Sequence, residues 1–133
     1  MFSSKAKRQH LVIADLLQAM ENPGKMEILV KIAEDHYAIE SILFSNDLTI
    51  LINDWTIRKR RISRQIISSL VESYLKQGAS LQVNIPQPWI NEIHTCPEHS
   101  EELVKLMKKM RNHVLDTFLM NYRFEIEREL EKI

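Results

Sequence analysis

Apolar residues recur every three or four positions along most of this chain, and few residues interrupt the pattern. The 133 residues include only two glycines and four prolines, most of them between the apolar repeats. Met26, Leu29 and Ala33 illustrate the repeat, with the spacing of a helix that buries one face. The pattern predicts an all-α fold of about eight to nine short helices.

The predicted helices follow one another with short connections. In chain order they cover the end of a first helix over 12–20, then 25–35, 40–53, 62–76, a short segment after Pro86, 98–111 and a terminal stretch before the charged tail 123–133. We expect Gly78 to be the C-cap of the fourth of these helices. The segment Thr95-Cys96-Pro97-Glu98 is expected to begin the helix over 98–111.

The third predicted helix contains a segment for which a strand is a competing interpretation. The run Leu48–Ile52 is rich in β-branched residues, but no second strand pattern exists to pair with it. A helix is therefore favoured, and its inward face should carry Leu43, Phe44 and Leu48.

Composition excludes several classes of function. The 18 basic and 18 acidic side chains cancel, so there is no electrostatic reason to expect nucleic acid as the main partner. Cys96 is the one cysteine, which rules out an internal disulfide and is typical of a reducing compartment. No apolar run approaches the roughly 20 residues that a membrane span needs. A cytoplasmic location is therefore expected.

Two local patterns could carry chemistry of their own. His94, Cys96 and His99 are spaced like ligands or a Cys–His dyad, but structural zinc sites need four ligands, and no second pair is evident. The basic run Arg58–Arg61 would suit a weak contact with a membrane surface, although such a run is more often a solvated linker. Neither pattern predicts an enzyme active site.

Four motifs, taken in order, resemble the regulator of G-protein signalling (RGS) family over roughly residues 16–122. The corner His36–Ser41 is similar to the family's sequence of acid, aromatic, serine, any residue, glutamate and asparagine. Upstream lie a leucine pair and Gly24, as in the family. Downstream, Val83-Asn84-Ile85 resembles its aliphatic-Asn-aliphatic motif, and Phe118-Leu119 its last core helix.

The resemblance implies a single RGS-like domain over residues 1–133 that acts on a G-protein α subunit (Gα). Family members bind the switch segments of activated Gα and speed its GTP hydrolysis, which ends the signal. Gα supplies its own arginine and glutamine, so the implied protein is a GTPase activator with no active site and no cofactor. A monomer at the inner face of the plasma membrane, brought there by its partner, would suit this role.

The resemblance also implies which residues contact Gα. They are Asn84, Glu40, Ser41, Tyr37, Gln87, His113 and Thr117. Asn84 matches the family's asparagine that reaches the catalytic glutamine, and an amide can donate and accept a hydrogen bond there without adding charge.

Several of the matched positions depart from the family. Ser41 replaces an asparagine, His113 an acid and Thr117 an arginine, and Pro86-Gln87 replaces Asp-Ser. These departures keep a second interpretation open, namely a noncatalytic RGS-homology scaffold that binds another signalling protein. For Tyr37 a half-buried staple between two helices is favoured over a contact with a partner, and for His113 an exposed helix residue is favoured.

Overall fold

In a computed structural model, which describes residues 11–133, that part of the chain forms six α-helices and no β-strand. We label them, in chain order, α1 (Ile13–Met20), α2 (Pro23–Asp35), α3 (Ile39–Thr56), α4 (Arg64–Leu70), α5 (Gln87–Thr95) and α6 (Glu101–Glu131). A π-helical turn, Val71–Leu75, continues α4. The all-α prediction is confirmed, and so is a helix over Leu48–Ile52. Within residues 11–133 the number of helices is lower than predicted.

The helix count is lower because α6 replaces two predicted helices and the charged tail. No glycine or proline lies between Glu101 and Glu131, so nothing in the sequence stops this helix. It bends at Tyr122, whose φ of −127° and ψ of 18° lie outside the helical range. Beyond the bend Ile126 is buried and Leu130 is partly buried. The tail is therefore an amphipathic helical segment that packs on the protein.

The beginning of α6 also differs from the prediction. Thr95 does not open this helix but ends α5, where its hydroxyl donates to the carbonyl of Glu92 at 3.2 Å. The N-cap is Ser100, whose Oγ accepts from the Leu103 N–H at 3.1 Å. Serine and threonine are both good N-cap residues, so residue type alone does not distinguish the two positions.

The segment predicted as one helix over 62–76 is an α-helix followed by a wider turn. In that turn the Lys76 N–H donates to the Val71 carbonyl, five residues back, at 2.9 Å. Gly78 is not the C-cap, because it lies beyond Leu75 with Lys76 already extended. Its φ of +83° belongs to the loop, where its N–H donates to Oε1 of Gln82 at 2.9 Å.

The buried apolar residues form two clusters that share α3 and α6. The cluster we call the terminal core joins α1 and α2 to the beginning of α3 and the second half of α6. The central core joins the rest of α3 to α4, the π turn, the loop before α5, α5 and the first half of α6. The neighbours Val114 and Leu115 belong to different cores. Leu43, which was predicted to face inward, is 37% exposed.

Candidate functional site

The first part of the candidate site is the corner between α2 and α3. α2 ends at Asp35, and the Ala38 N–H donates to the Ala33 carbonyl at 2.7 Å, which closes the helix end. Glu40 and Ser41 then lie in the first turn of α3 and are half-buried. A carboxylate in the first turn interacts favourably with the helix dipole. The corner therefore places both side chains at the beginning of α3.

Tyr37 does not pack between the helices at this corner. Its side chain is 92% exposed and its φ is +55°, so the interpretation as a half-buried staple is wrong. The neighbouring His36 ring instead stacks on Tyr122 of α6, with ring centroids 4.4 Å apart. His36 Nε2 also lies 2.7 Å from Oε1 of Glu125. The exposed Tyr37 ring is thus accessible to a partner.

The second part of the site is the loop that follows the π turn. The Val83 N–H donates to the Tyr74 carbonyl at 2.9 Å, so the loop runs against the central core. Val83 and Ile85 are buried while Asn84 between them is exposed, as expected for alternating side chains on an extended segment. Within residues 11–133 the Asn84 amide makes no hydrogen bond. It is therefore not a loop asparagine that satisfies its own backbone.

The third part of the site is one face of α6. His113 and Thr117 are one turn apart, and the Thr117 hydroxyl donates to the His113 carbonyl at 3.1 Å. The His113 ring is half-buried and meets the Trp89 ring edge-on, with centroids 5.2 Å apart. Lys109 Nζ lies 4.4 Å from the centre of the same indole. His113 is consequently held in place by its neighbours and is not a simple exposed helix histidine.

The three parts meet around two adjoining cavities. The smaller, of about 90 Å³, is lined by Glu40 and Ser41 of α3, Asn84 of the loop and Thr117 of α6. The larger, of about 460 Å³, is lined by Asn84, Gln87 and His113 among others. Gln82, Val83 and Asn84 line both. Six of the seven predicted site residues therefore surround one continuous surface, and Tyr37 alone lies outside the two cavities.

The polar side chains on this surface are suited to hydrogen bonding. Gln77, Gln82, Asn84 and Gln87 supply amide groups to the larger cavity, and His113 is the titratable side chain there. Glu40 is the ionisable group of the smaller cavity. Amides donate and accept hydrogen bonds but are poor nucleophiles and bases. The arrangement can orient polar groups of a partner. Gln77 and Gln82 were not predicted, because neither belongs to a recognisable motif.

The segment with His94, Cys96 and His99 was the other place in the sequence where metal or cysteine chemistry was considered. No group of three or more His, Cys, Asp or Glu side chains within residues 11–133 could hold a metal ion. Cys96 is buried, and this burial raises the pKa of its thiol, which disfavours the nucleophilic thiolate.

None of the helices described is both long and apolar enough to cross a bilayer.

Comparisons with protein-family models, with curated proteins and with solved structures found no match for this chain.

Proposed function

We propose that this protein is an RGS-like domain that binds an activated Gα subunit and accelerates its GTP hydrolysis. The observation that carries the proposal is the convergence of Glu40, Ser41, Asn84 and Thr117 on one small cavity. These residues come from three separate segments of the sequence, and the resemblance of motifs alone predicted each of them. Gln87 and His113 extend the same surface.

In the proposed mechanism this chain supplies positioning and no reacting group. Asn84 is exposed and its amide has no hydrogen bond to any residue of 11–133, so both its donor and its acceptor can engage a side-chain amide of the partner. Fixing the glutamine that orients the attacking water would lower the barrier in Gα. Glu40 and Ser41, held in the first turn of α3, would contact the backbone of the switch segments.

The test is single-turnover GTP hydrolysis by a panel of Gα subunits, with and without an excess of this protein. We expect acceleration of at least one Gα, and a loss of about a hundredfold in that acceleration for Asn84→Ala. Gln65→Ala is the matched control, since Gln65 is an exposed amide on α4 outside both cavities. Circular dichroism should show the same helical content for all three proteins.

Two further results would change the proposal. If no Gα is accelerated but one is bound in its activated form, the surface serves the noncatalytic scaffold instead. Ser41→Asn is the variant that separates these cases, because it restores a longer side chain with both a donor and an acceptor at the corner. Acceleration by Ser41→Asn alone would identify Ser41 as the cause of the lost activity. Absence of any binding to Gα would reject both versions.

A further inference from the structure

Ser45 and Arg111 are the buried residues of the described part of the chain that do not belong to its apolar cores, and they lie on α3 and α6 respectively. Ser45 of α3 is fully buried, and Arg111 of α6 is 8% exposed. The contact between these two helices is the most extensive one in residues 11–133. Ser45 Oγ has no hydrogen-bond partner there. A buried polar pair of this kind in the main helix contact needs a physical explanation.

Arg111 is a buried cation without an acidic partner. Its Nη1 donates to Oγ1 of Thr49 at 3.3 Å and its Nε donates to Oδ1 of Asn112 at 3.1 Å. No carboxylate of residues 11–133 lies within ion-pair distance of it. Burial lowers the pKa of the guanidinium, as expected when the charged form is poorly solvated. Replacing such a buried charge by an apolar side chain of similar size is often neutral or stabilising.

A chain of hydrogen bonds leads from Arg111 towards the candidate site. Thr49, which accepts from Arg111, donates from the same hydroxyl to the carbonyl of Ser45 at 2.8 Å. Ser45 lies one helical turn after Ser41, which lines the smaller cavity. On α6, Arg111 precedes Thr117 by about 9 Å along the axis, at about 1.5 Å per residue. The same chain therefore ties the two helices that carry Ser41 and Thr117.

Apolar contacts supply most of the attraction between α3 and α6, and a hydrogen bond adds a directional restraint on how one helix lies along the other. Hydrophobic burial is non-directional, whereas a hydrogen bond depends on distance and angle. The core residues that α3 and α6 contribute are all apolar, for example Leu48 on α3 and Met107 on α6. The bond from Arg111 to Thr49 is thus a directional contact between these two helices.

We propose that Arg111 is a positioning residue that sets the axial register of α6 against α3 through Thr49. It thereby holds Thr117 opposite Glu40 and Ser41. The inference rests on the proposed function only where it predicts a change in Gα acceleration. The register of α6 against α3 can be measured without a partner. This positioning role explains why a buried cation is placed in the contact between α3 and α6.

The experiment compares Arg111→Met, Thr49→Val and their combination, with Lys108→Met as the control. Lys108 is an exposed cation on the same helix and has no hydrogen bond within residues 11–133. For Arg111→Met we expect an unchanged or higher thermal midpoint together with a loss of about tenfold in Gα acceleration. Thr49→Val should lose a similar factor, and the double variant no more than either alone, because both substitutions break one connection.

A second measurement separates this inference from the proposed function. In amide NMR spectra, Arg111→Met and Thr49→Val should shift the resonances of Ser41 and Thr117, which are more than one turn from either substitution. Lys108→Met should leave them in place. Unmoved Ser41 and Thr117 resonances, or a loss of activity that follows a lowered thermal midpoint, would overturn the positioning role. If the wild-type protein accelerates no Gα, the proposed function is rejected. The NMR resonances of Ser41 and Thr117 still test whether Arg111 sets the register of α6.

Discussion

The terminal and central cores contain similar residue types but are assembled in different ways. The terminal core is built wholly from helices, mainly α1, α2 and the second half of α6, each with a regular apolar face. The central core also includes Val83 and Ile85 from a loop and the π turn that carries Tyr74. Backbone and side-chain hydrogen bonds complete it, such as those from Arg64 to the carbonyls of Ile93 and Cys96.

The difference shows how the candidate site arises. Helices of the terminal core contribute rigid positions, such as those of Glu40 and Ser41. The central core contributes the extended loop that presents Asn84 between two buried neighbours. The cavities lie where these two kinds of construction meet, next to the Val114–Leu115 boundary on α6. A site at such a boundary depends on both cores remaining folded together.

The largest expected effect tests whether the cores are one cooperative unit. Leu29 of the terminal core and Leu103 of the central core are each fully buried, so Leu29→Ala and Leu103→Ala should each cost about 2–5 kcal/mol. Trp55 and Trp89 both pack against the central core and report on it by fluorescence. Because α3 and α6 run through both cores, urea unfolding followed by fluorescence and by circular dichroism should coincide in both variants. Transitions that separate in Leu29→Ala would show independent cores.

Replacing each of the two glycines with alanine should change the free energy of unfolding in opposite directions. Gly24 lies in α2, which belongs to the terminal core, and Gly78 lies in the loop beside the central core. Gly78 has a φ of +83° and open space where a Cβ would lie, so Gly78→Ala should cost about 1–2 kcal/mol through backbone strain alone. Gly24 lies in the first turn of α2, where alanine is the better helix former, and a Cβ there would lie 3.4 Å from Asn22 Oδ1. Gly24→Ala should stabilise the fold by about 0.5 kcal/mol. The urea midpoints of the two variants check this, and a neutral Gly78→Ala would contradict it.

Tyr74 makes the stability of the central core depend on pH. Its hydroxyl donates to Asp47 at 2.5 Å, and Tyr74→Phe should cost about 1 kcal/mol at neutral pH. The pKa of Tyr74 is raised well above its usual range, mainly by burial. The hydrogen bond to Asp47 and the negative charge of Asp47 raise it further. In the unfolded chain the tyrosine hydroxyl loses its proton at about pH 10. The stabilisation by Tyr74 is therefore fully present below that pH and is lost as the pH rises further. Urea unfolding at neutral and alkaline pH should show the difference between the two proteins shrinking, and a constant difference would refute the linkage.

The smallest effect concerns a contact at the edge of the terminal core. His36 and Glu125 are about one-third exposed and 2.7 Å apart, so Glu125→Gln should cost less than about 1 kcal/mol. Lys31→Ala, which removes a more exposed pair with Asp35 at 3.8 Å, should be neutral. Thermal midpoints compare the two variants. A large loss in either would mean that surface pairs, and not the apolar core, hold this region together.

Regular helices were predictable from this sequence because their information is local. Apolar spacing correctly placed α1, α2 and α3, whose buried positions repeat every three or four residues. The buried side of α6 was also visible, with Met107, Met110 and Phe118 on it. Prediction failed at helix ends and irregular turns. Residue type does not distinguish Thr95 from Ser100 as an N-cap, and the apolar spacing does not distinguish the π turn after Leu70 from a continued α-helix.

The candidate site was predictable only in part, for the same physical reason. Asn84, Glu40, Ser41 and Thr117 could be chosen from motifs, but their convergence depends on how α3, the loop and α6 pack. Tyr37 and His36 are adjacent, and the packing on Tyr122 makes His36 the ring between the helices. No local pattern distinguishes the two residues.

The helical character of this chain and the apolar faces of its helices follow from the order of the amino acids alone. Backbone hydrogen bonding within each helix and the spacing of apolar side chains are both local properties. The burial of Arg111 against Thr49, and the single surface shared by polar residues of three segments, come instead from the packing of the helices. Burial and directional contacts between distant residues arise in the packed molecule, because no single segment contains both partners.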